Sequence, residues 1–169
     1  MNNIYLIGMP GCGKSTIARI ISKHLNKEYI DADVYLEKKY NECIADIFAV
    51  RGEADFRLKE TSVLEELSQK DDIIISTGGG VVVTYKNKDI MKKTGVVIFI
   101  DCQPEVILSN SSLSGRPLLK DKTRIFELYK ERIDLYKNFS DIIIDNNGKI
   151  EDTVSQIINC FIQNKKTVL

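Results

Sequence analysis

Residues 8–15 read Gly-Met-Pro-Gly-Cys-Gly-Lys-Ser. An apolar run, Asn3–Ile7, precedes them, and Lys14–Leu25 follows with Ile17, Ile20, Ile21 and Leu25 at helical spacing. The octapeptide satisfies GxxxxGK[ST] in full, in the strand–turn–helix setting that gives the motif its meaning. No other feature constrains the fold as much. Such a turn aims successive backbone N–H groups at one point, and the helix behind it adds about half a positive charge at its N-terminus. The matching ligand is a nucleotide polyphosphate. Gly11, Cys12, Gly13, Lys14, Ser15 and Thr16 are its candidate contacts. Lys14 is expected to reach the β- and γ-phosphates and Ser15 to ligate Mg²⁺. Cys12 adds nothing that phosphate binding needs and reads as a tolerated small side chain.

Ile73–Ile75, Val96–Ile100 and Ile142–Ile144 are further apolar runs, and Glu28–Ile30 is a shorter strand candidate. The long runs do not alternate with polar residues, which is how strands buried on both faces of a parallel sheet read. Helical patterns separate them at Val34–Tyr40, Ile44–Arg51, Glu53–Gln69, Pro104–Leu108 and Lys122–Phe139, with Gly52 as a break. A last amphipathic helix carries Ile150, Val154, Ile157, Ile158 and Phe161, with a frayed charged end at Lys165–Leu169. This is the βαβ pattern of an α/β fold. Sites in such sheets lie beyond the carboxyl ends of the strands. Gly8, Asp31, Gly78 and Asp101 all fall there.

At 169 residues the chain reads as one domain, 1–169, without a linker or repeat. Lys plus Arg and Asp plus Glu are both 24, so the net charge is zero, which argues against a nucleic-acid partner. No apolar stretch approaches the roughly 20 residues that span a bilayer. The four cysteines are scattered and read as reduced thiols of a cytoplasmic protein. The lone histidine, His24, reads as a packing or surface residue.

Other residues are open to two readings each. In Asp31-Ala32-Asp33, Asp33 is a good helix N-cap candidate. On the phosphate edge, however, one carboxylate can hold an acceptor hydroxyl and another a water of the Mg²⁺ shell. Arg57 lies four residues after Glu53 and three before Glu60, a spacing that surface ion pairing also explains. Gly78, Gly79 and Gly80 suit a close approach of backbone to ligand, or a plain flexible turn. Ser109–Ser114 and the following Gly115-Arg116-Pro117 form a polar loop that could serve as a lid. Arg116 could swing from it onto a γ-phosphate or remain an inert surface arginine. Arg132 sits in a charged amphipathic helix whose ordinary reading is a solvated face.

Taken together, the loop at 8–15, Asp31-Ala32-Asp33, Gly52-Glu53 with Phe56-Arg57 and Glu60, Thr77-Gly78-Gly79-Gly80, Arg116-Pro117-Leu118-Leu119, and Arg132 with Leu135-Tyr136 resemble the shikimate kinases in order and spacing. The resemblance covers about the first 145 residues. It implies a five-stranded parallel sheet between helices, of the P-loop NTPase type, with a mobile lid near 109–122. It implies ATP-dependent phosphorylation of the 3-hydroxyl of shikimate, in aromatic amino acid biosynthesis. Lys14 and Ser15 would serve ATP and Mg²⁺, and Asp31 the outer metal shell. Asp33 would hold the acceptor hydroxyl. Arg57 and Arg132 would clamp the carboxylate, with Glu60 fixing Arg57. Gly78, Gly79 and Gly80 would border the substrate, the last two offering N–H groups, and Arg116 would close over the γ-phosphate.

The chain departs from that pattern at two adenine contacts. Ser109 stands where many members carry an arginine, and Asp145-Asn146-Asn147-Gly148 lacks another. Fewer adenine contacts and weaker nucleotide affinity are expected. A kinase for another carboxylated polyol such as gluconate is the alternative within enzymes. A non-catalytic nucleotide-binding module is the alternative outside them. A monomer is the default expectation.

Overall fold

The computed structural model describes residues 2–109 and 122–166. The strands are β1 (Asn3–Ile7), β2 (Glu28–Asp31), β3 (Ile73–Ser76), β4 (Gly95–Asp101) and β5 (Ile142–Asp145). They form one parallel five-stranded sheet in the order β2-β3-β1-β4-β5. The central register pairs Ile4 with Ile74 and Val96. Every residue of β1 and β3 is buried, as their unbroken apolar sequence requires. The edge strands depart from this. Ile143 of β5 is 50% exposed, because an edge position has a helix layer on only part of its surface.

The helices are α1 (Lys14–Leu25), α2 (Ala32–Tyr40), α3 (Ile44–Ser68), α4 (Lys86–Thr94), α5 (Pro104–Ser109), α6 (Lys122–Phe139) and α7 (Ile150–Lys166). Helices α1 and α7 pack on one face, and α4 and α6 on the other. Helix α3 is two helices joined at Gly52, whose φ of 81° and ψ of 175° interrupt the ladder where the sequence places the break. Among the described residues no helix is long and apolar enough to cross a membrane.

The sequence reading misses α4 and the short 3₁₀ turn Val81–Val83 before it. The inner face of α4 includes Asn87, which is fully buried. Its amide accepts from the Thr61 hydroxyl (2.8 Å) and donates to the Val81 carbonyl (2.9 Å). A polar residue in the core face breaks the apolar period that would have marked the helix. The expected lid at 109–122 lies outside the described residues except at its ends. Ser109 closes α5, its hydroxyl donating to the Val106 carbonyl. Arg116 is not among the described residues.

Candidate active site

The turn between β1 and α1 is held open by its own backbone. Gly11 and Gly13 have φ of 80° and 91°, a region that side chains disfavour. The Cys12 N–H donates to the Met9 carbonyl (3.2 Å), and the Ile17 N–H to the Gly13 carbonyl (2.9 Å). The Lys14 ammonium donates to the Gly8 and Met9 carbonyls, both at 2.9 Å, and is buried. No acidic residue of α1 itself stands in its first turn. Cys12 is buried behind the turn. Thr16 is exposed on the first turn of the helix.

One reading changes at α2. Asp31, not Asp33, is its N-cap: the Asp31 carboxylate accepts from the Asp33 and Val34 N–H groups. The cap falls there because Asp31 keeps the extended backbone of β2 (φ −90°, ψ 117°) and α2 begins at the next residue. The second oxygen of Asp31 accepts from the Ser15 hydroxyl (2.6 Å) and the Tyr29 hydroxyl (3.2 Å). Ser76, at the end of β3, lies 3.2 Å from Ser15 through its own hydroxyl. Ser15, Asp31 and Ser76 therefore form a cluster of hard oxygen donors beside the phosphate loop. That donor chemistry suits Mg²⁺, which takes one or two protein oxygens and fills its shell with phosphate and water. Among the described residues no group of three or more His, Cys, Asp or Glu converges, and Mg²⁺ of this kind requires none.

With Asp31 committed to the cap, Asp33 turns toward the glycine triplet. A methyl group on Gly78 would stand 2.7 Å from Asp33 Oδ1 and 3.1 Å from Glu60 Oε1. One on Gly79 would stand 2.6 Å from the Pro10 ring, and one on Gly80 2.3 Å from the Arg57 guanidinium. The distances of 2.7, 2.6 and 2.3 Å are closer than a side-chain carbon tolerates without a shift of its neighbour. The triplet is thus the packing centre where the phosphate loop, α2 and α3 meet, rather than a loose turn. From the far side, Arg132 of α6 donates to the Gly79 carbonyl (3.1 Å), and the Tyr136 hydroxyl donates to the same oxygen.

Arg57 is held on three sides. Nη1 donates to Glu60 (2.8 Å), Nη2 and Nε donate to Glu53 (2.9 and 3.2 Å), and the guanidinium lies 5.0 Å from the Phe56 ring centre. Glu60 is 6% exposed, and its Oε1 has no hydrogen-bond partner among the described residues. Burial, aided by the nearby Asp33 carboxylate, raises its carboxyl to about 7 against the opposing Arg57 and Arg132 cations. Burial pulls the Arg57 guanidinium down, but Glu60 and Glu53 more than offset that and leave it raised.

The sequence-predicted residues Gly11, Cys12, Gly13, Lys14, Ser15, Asp31, Asp33, Arg57, Gly78, Gly79, Gly80 and Arg132 thus gather at the carboxyl edge of the sheet. The phosphate loop, the carboxylates Asp31 and Asp33 and the guanidinium groups of Arg57 and Arg132 are linked there through the glycine triplet and Ser15. Such a place can hold an anionic polyol against a polyphosphate. Ser76, Tyr136 and Asn146 belong to the same region without having been assigned a part in it. Tyr136 stands inside a quoted motif and Ser76 immediately before one, and only their contacts single them out. His24 is exposed, its ring bonded to the Ile20 carbonyl on its own helix.

Comparison with known proteins points one way. The sequence profile of a family described as Shikimate kinase matches residues 10–162. A shikimate kinase of Clostridium botulinum (strain Alaska E43 / Type E3) is 44% identical over 96% of this chain and 99% of its own. The structure of shikimate kinase from Acinetobacter baumannii in complex with shikimate superposes with a TM-score of 0.90 at 32% identity, covering 98% of this chain and 95% of that one. That of shikimate kinase from Aquifex aeolicus gives 0.81 at 36% identity, covering 96% and 98%.

Proposed function

The chain belongs to the shikimate kinase family, and from that premise we propose that it transfers the γ-phosphoryl group of ATP to the 3-hydroxyl of shikimate with the roles assigned below. The phosphate loop holds the triphosphate through the N–H groups of residues 11–16. Lys14 exchanges the Gly8 and Met9 carbonyls for phosphate oxygens and neutralises charge there. Ser15 and Asp31 would hold Mg²⁺, Ser15 directly and Asp31 through water, and the ion when bound supplies charge neutralisation between the β- and γ-phosphates.

At the other end, Arg57 and Arg132 bind the substrate carboxylate. A planar guanidinium is the side chain shaped for that anion. Glu60 and Glu53 hold Arg57 in place before substrate arrives. Asp33 accepts a hydrogen bond from the acceptor hydroxyl, aims its oxygen at the phosphorus, and draws off the proton as the bond forms. The N–H groups of Gly79 and Gly80 border the ring. Arg116, assigned from sequence alone, adds charge at the γ-phosphate as the lid of the single domain closes and excludes water. Four free thiols suit a reducing cytoplasm, and one chain carries every group named, so a monomer suffices.

The observation that carries this reading is the glycine triplet. It is in contact with Asp33, Glu60, Arg57 and Pro10 of the phosphate loop at once, so donor and acceptor ends are built around one backbone segment. Positioning of that kind supplies much of the rate of a phosphoryl transfer. The test is ADP release from Mg·ATP with shikimate, with gluconate, and with neither. Stimulation by shikimate alone is expected. Equal stimulation by gluconate, or none by either while ATP still binds, would overturn the assignment.

A further inference from the structure

We infer that Asn146 is a positioning residue for the phosphate loop, acting through the Cys12–Gly13 peptide. Asn146 follows β5, and its backbone N–H donates to the Asp101 carbonyl at the end of β4 (2.8 Å). Its side-chain Nδ2 donates to the Cys12 carbonyl (2.8 Å), across 134 residues of sequence. Its Oδ1 accepts from the buried Thr153 hydroxyl of α7 (2.7 Å). The orientation of the amide is fixed by chemistry: the Cys12 carbonyl can only accept, so the NH₂ end must face it.

A peptide unit is planar and trans, so its C=O and N–H point in opposite directions. Holding the Cys12 carbonyl against Asn146 therefore aims the Gly13 N–H away from Asn146, toward the concave side of the loop. Nothing local does this. Gly11 and Gly13 flank Cys12, and a glycine at φ 91° offers no side chain to resist rotation of the peptide. Elsewhere in the turn the Gly8 and Met9 carbonyls accept from Lys14, and the Gly13 carbonyl from Ile17. Cys12 depends on Asn146. A preset N–H binds phosphate without first reorganising, which is how an oriented donor gains affinity.

The inference concerns the nucleotide end and rests on the phosphate-loop reading, not on shikimate as acceptor. Asn146→Leu keeps the branching and heavy-atom count and removes the donor without adding charge. MgADP and shikimate binding are measured separately by calorimetry on the full chain, and the Gly13 amide resonance is followed by NMR in the free protein. The expected result is an ADP dissociation constant raised about tenfold. The shikimate constant should stay within about twofold, and the Gly13 resonance should move. Thr153→Val, which removes the partner of the amide oxygen and a longer contact to the Asp145 carbonyl (3.2 Å) without touching the loop, should give a smaller rise, about threefold, in ADP alone. It also serves if Asn146→Leu does not fold. An unchanged ADP constant in the folded variants overturns the inference. So does a parallel loss of ADP and shikimate affinity that tracks a fall in melting temperature. Wild-type protein that binds ADP but not shikimate would sink the acceptor assignment and leave this one standing.

Discussion

The two ends of the site are built from different materials. The nucleotide end is one contiguous turn, residues 8–15, whose N–H groups and carbonyls do the work and whose side chains, Lys14 and Ser15 apart, matter little. The acceptor end is assembled from Asp33, Arg57, Glu60, the glycine triplet and Arg132, which come from four separate segments. It relies on charged side chains, two of them acidic and close together. The difference is one of how buried charge is held. Lys14 and Glu60 are both 6% exposed, but Lys14 donates to two backbone carbonyls, whereas Glu60 stands beside a second carboxylate, Asp33, and must be stabilised by Arg57 or give up its charge. Single substitutions at the acceptor end should therefore alter chemistry and pH response, while leaving nucleotide binding intact.

Asp33→Asn should have the largest effect. Amide for carboxylate keeps the shape and a hydrogen bond but removes the proton acceptor. We expect kcat to fall by about 10³-fold, within the span of general-base losses. ADP affinity should stay within about twofold, since it is Asp31 that accepts from Ser15. A comparable loss of ADP affinity would break the separation between the two ends.

Glu60→Gln comes next. The Glu60 carboxyl is raised in the fold from 4.5 to about 7. Between those values the folded chain holds a proton that the unfolded chain has released. Stability from this group is therefore lost as pH rises from about 4.5 to about 7, and is level above. Gln does not titrate, so the difference in unfolding free energy, wild type minus variant, should fall by on the order of 3 kcal/mol across that window. Urea titrations of both proteins at several pH values measure it. A flat difference would mean that Glu60 stays ionised against Arg57, and that the acceptor end stores its charge as openly as a surface pair.

The same contrast explains what the sequence made legible. The phosphate loop, the buried strands and the break at Gly52 announce themselves because each depends on residues adjacent in the chain. Asp31 and Asp33 are visible as a pair, but the sequence points to Asp33 as the cap and the structure uses Asp31. That choice depends on where β2 ends, and two carboxylates two residues apart satisfy the pattern equally. Arg57, Arg132 and the glycine triplet had ordinary surface or turn explanations, and only their meeting removes those. Asn146 gave no signal of contact with Cys12, since the partner lies 134 residues away and one asparagine after a strand looks like any turn.

Tyr136→Phe should have the smallest effect, and it tests the acceptor end where that end most resembles the other. The Gly79 carbonyl is pinned from α6 much as the Cys12 carbonyl is pinned from the β5 end. Here, however, two donors share the task, Tyr136 and Arg132. Removing the hydroxyl leaves the carbonyl with its Arg132 bond, so no buried acceptor is orphaned. The ring remains stacked on Phe99 at 5.0 Å between centroids. The cost should be about 1 kcal/mol in unfolding free energy, the ordinary worth of one hydrogen bond with its partner still satisfied. The KM for shikimate should rise by only about two- to threefold, with that for ATP unchanged. A loss as large as that from an orphaned carbonyl, about 3 kcal/mol, would mean that Arg132 does not hold Gly79 on its own. In that case the arginine's contact with the triplet depends on the tyrosine beside it, and the carboxylate clamp is set from α6 as a unit.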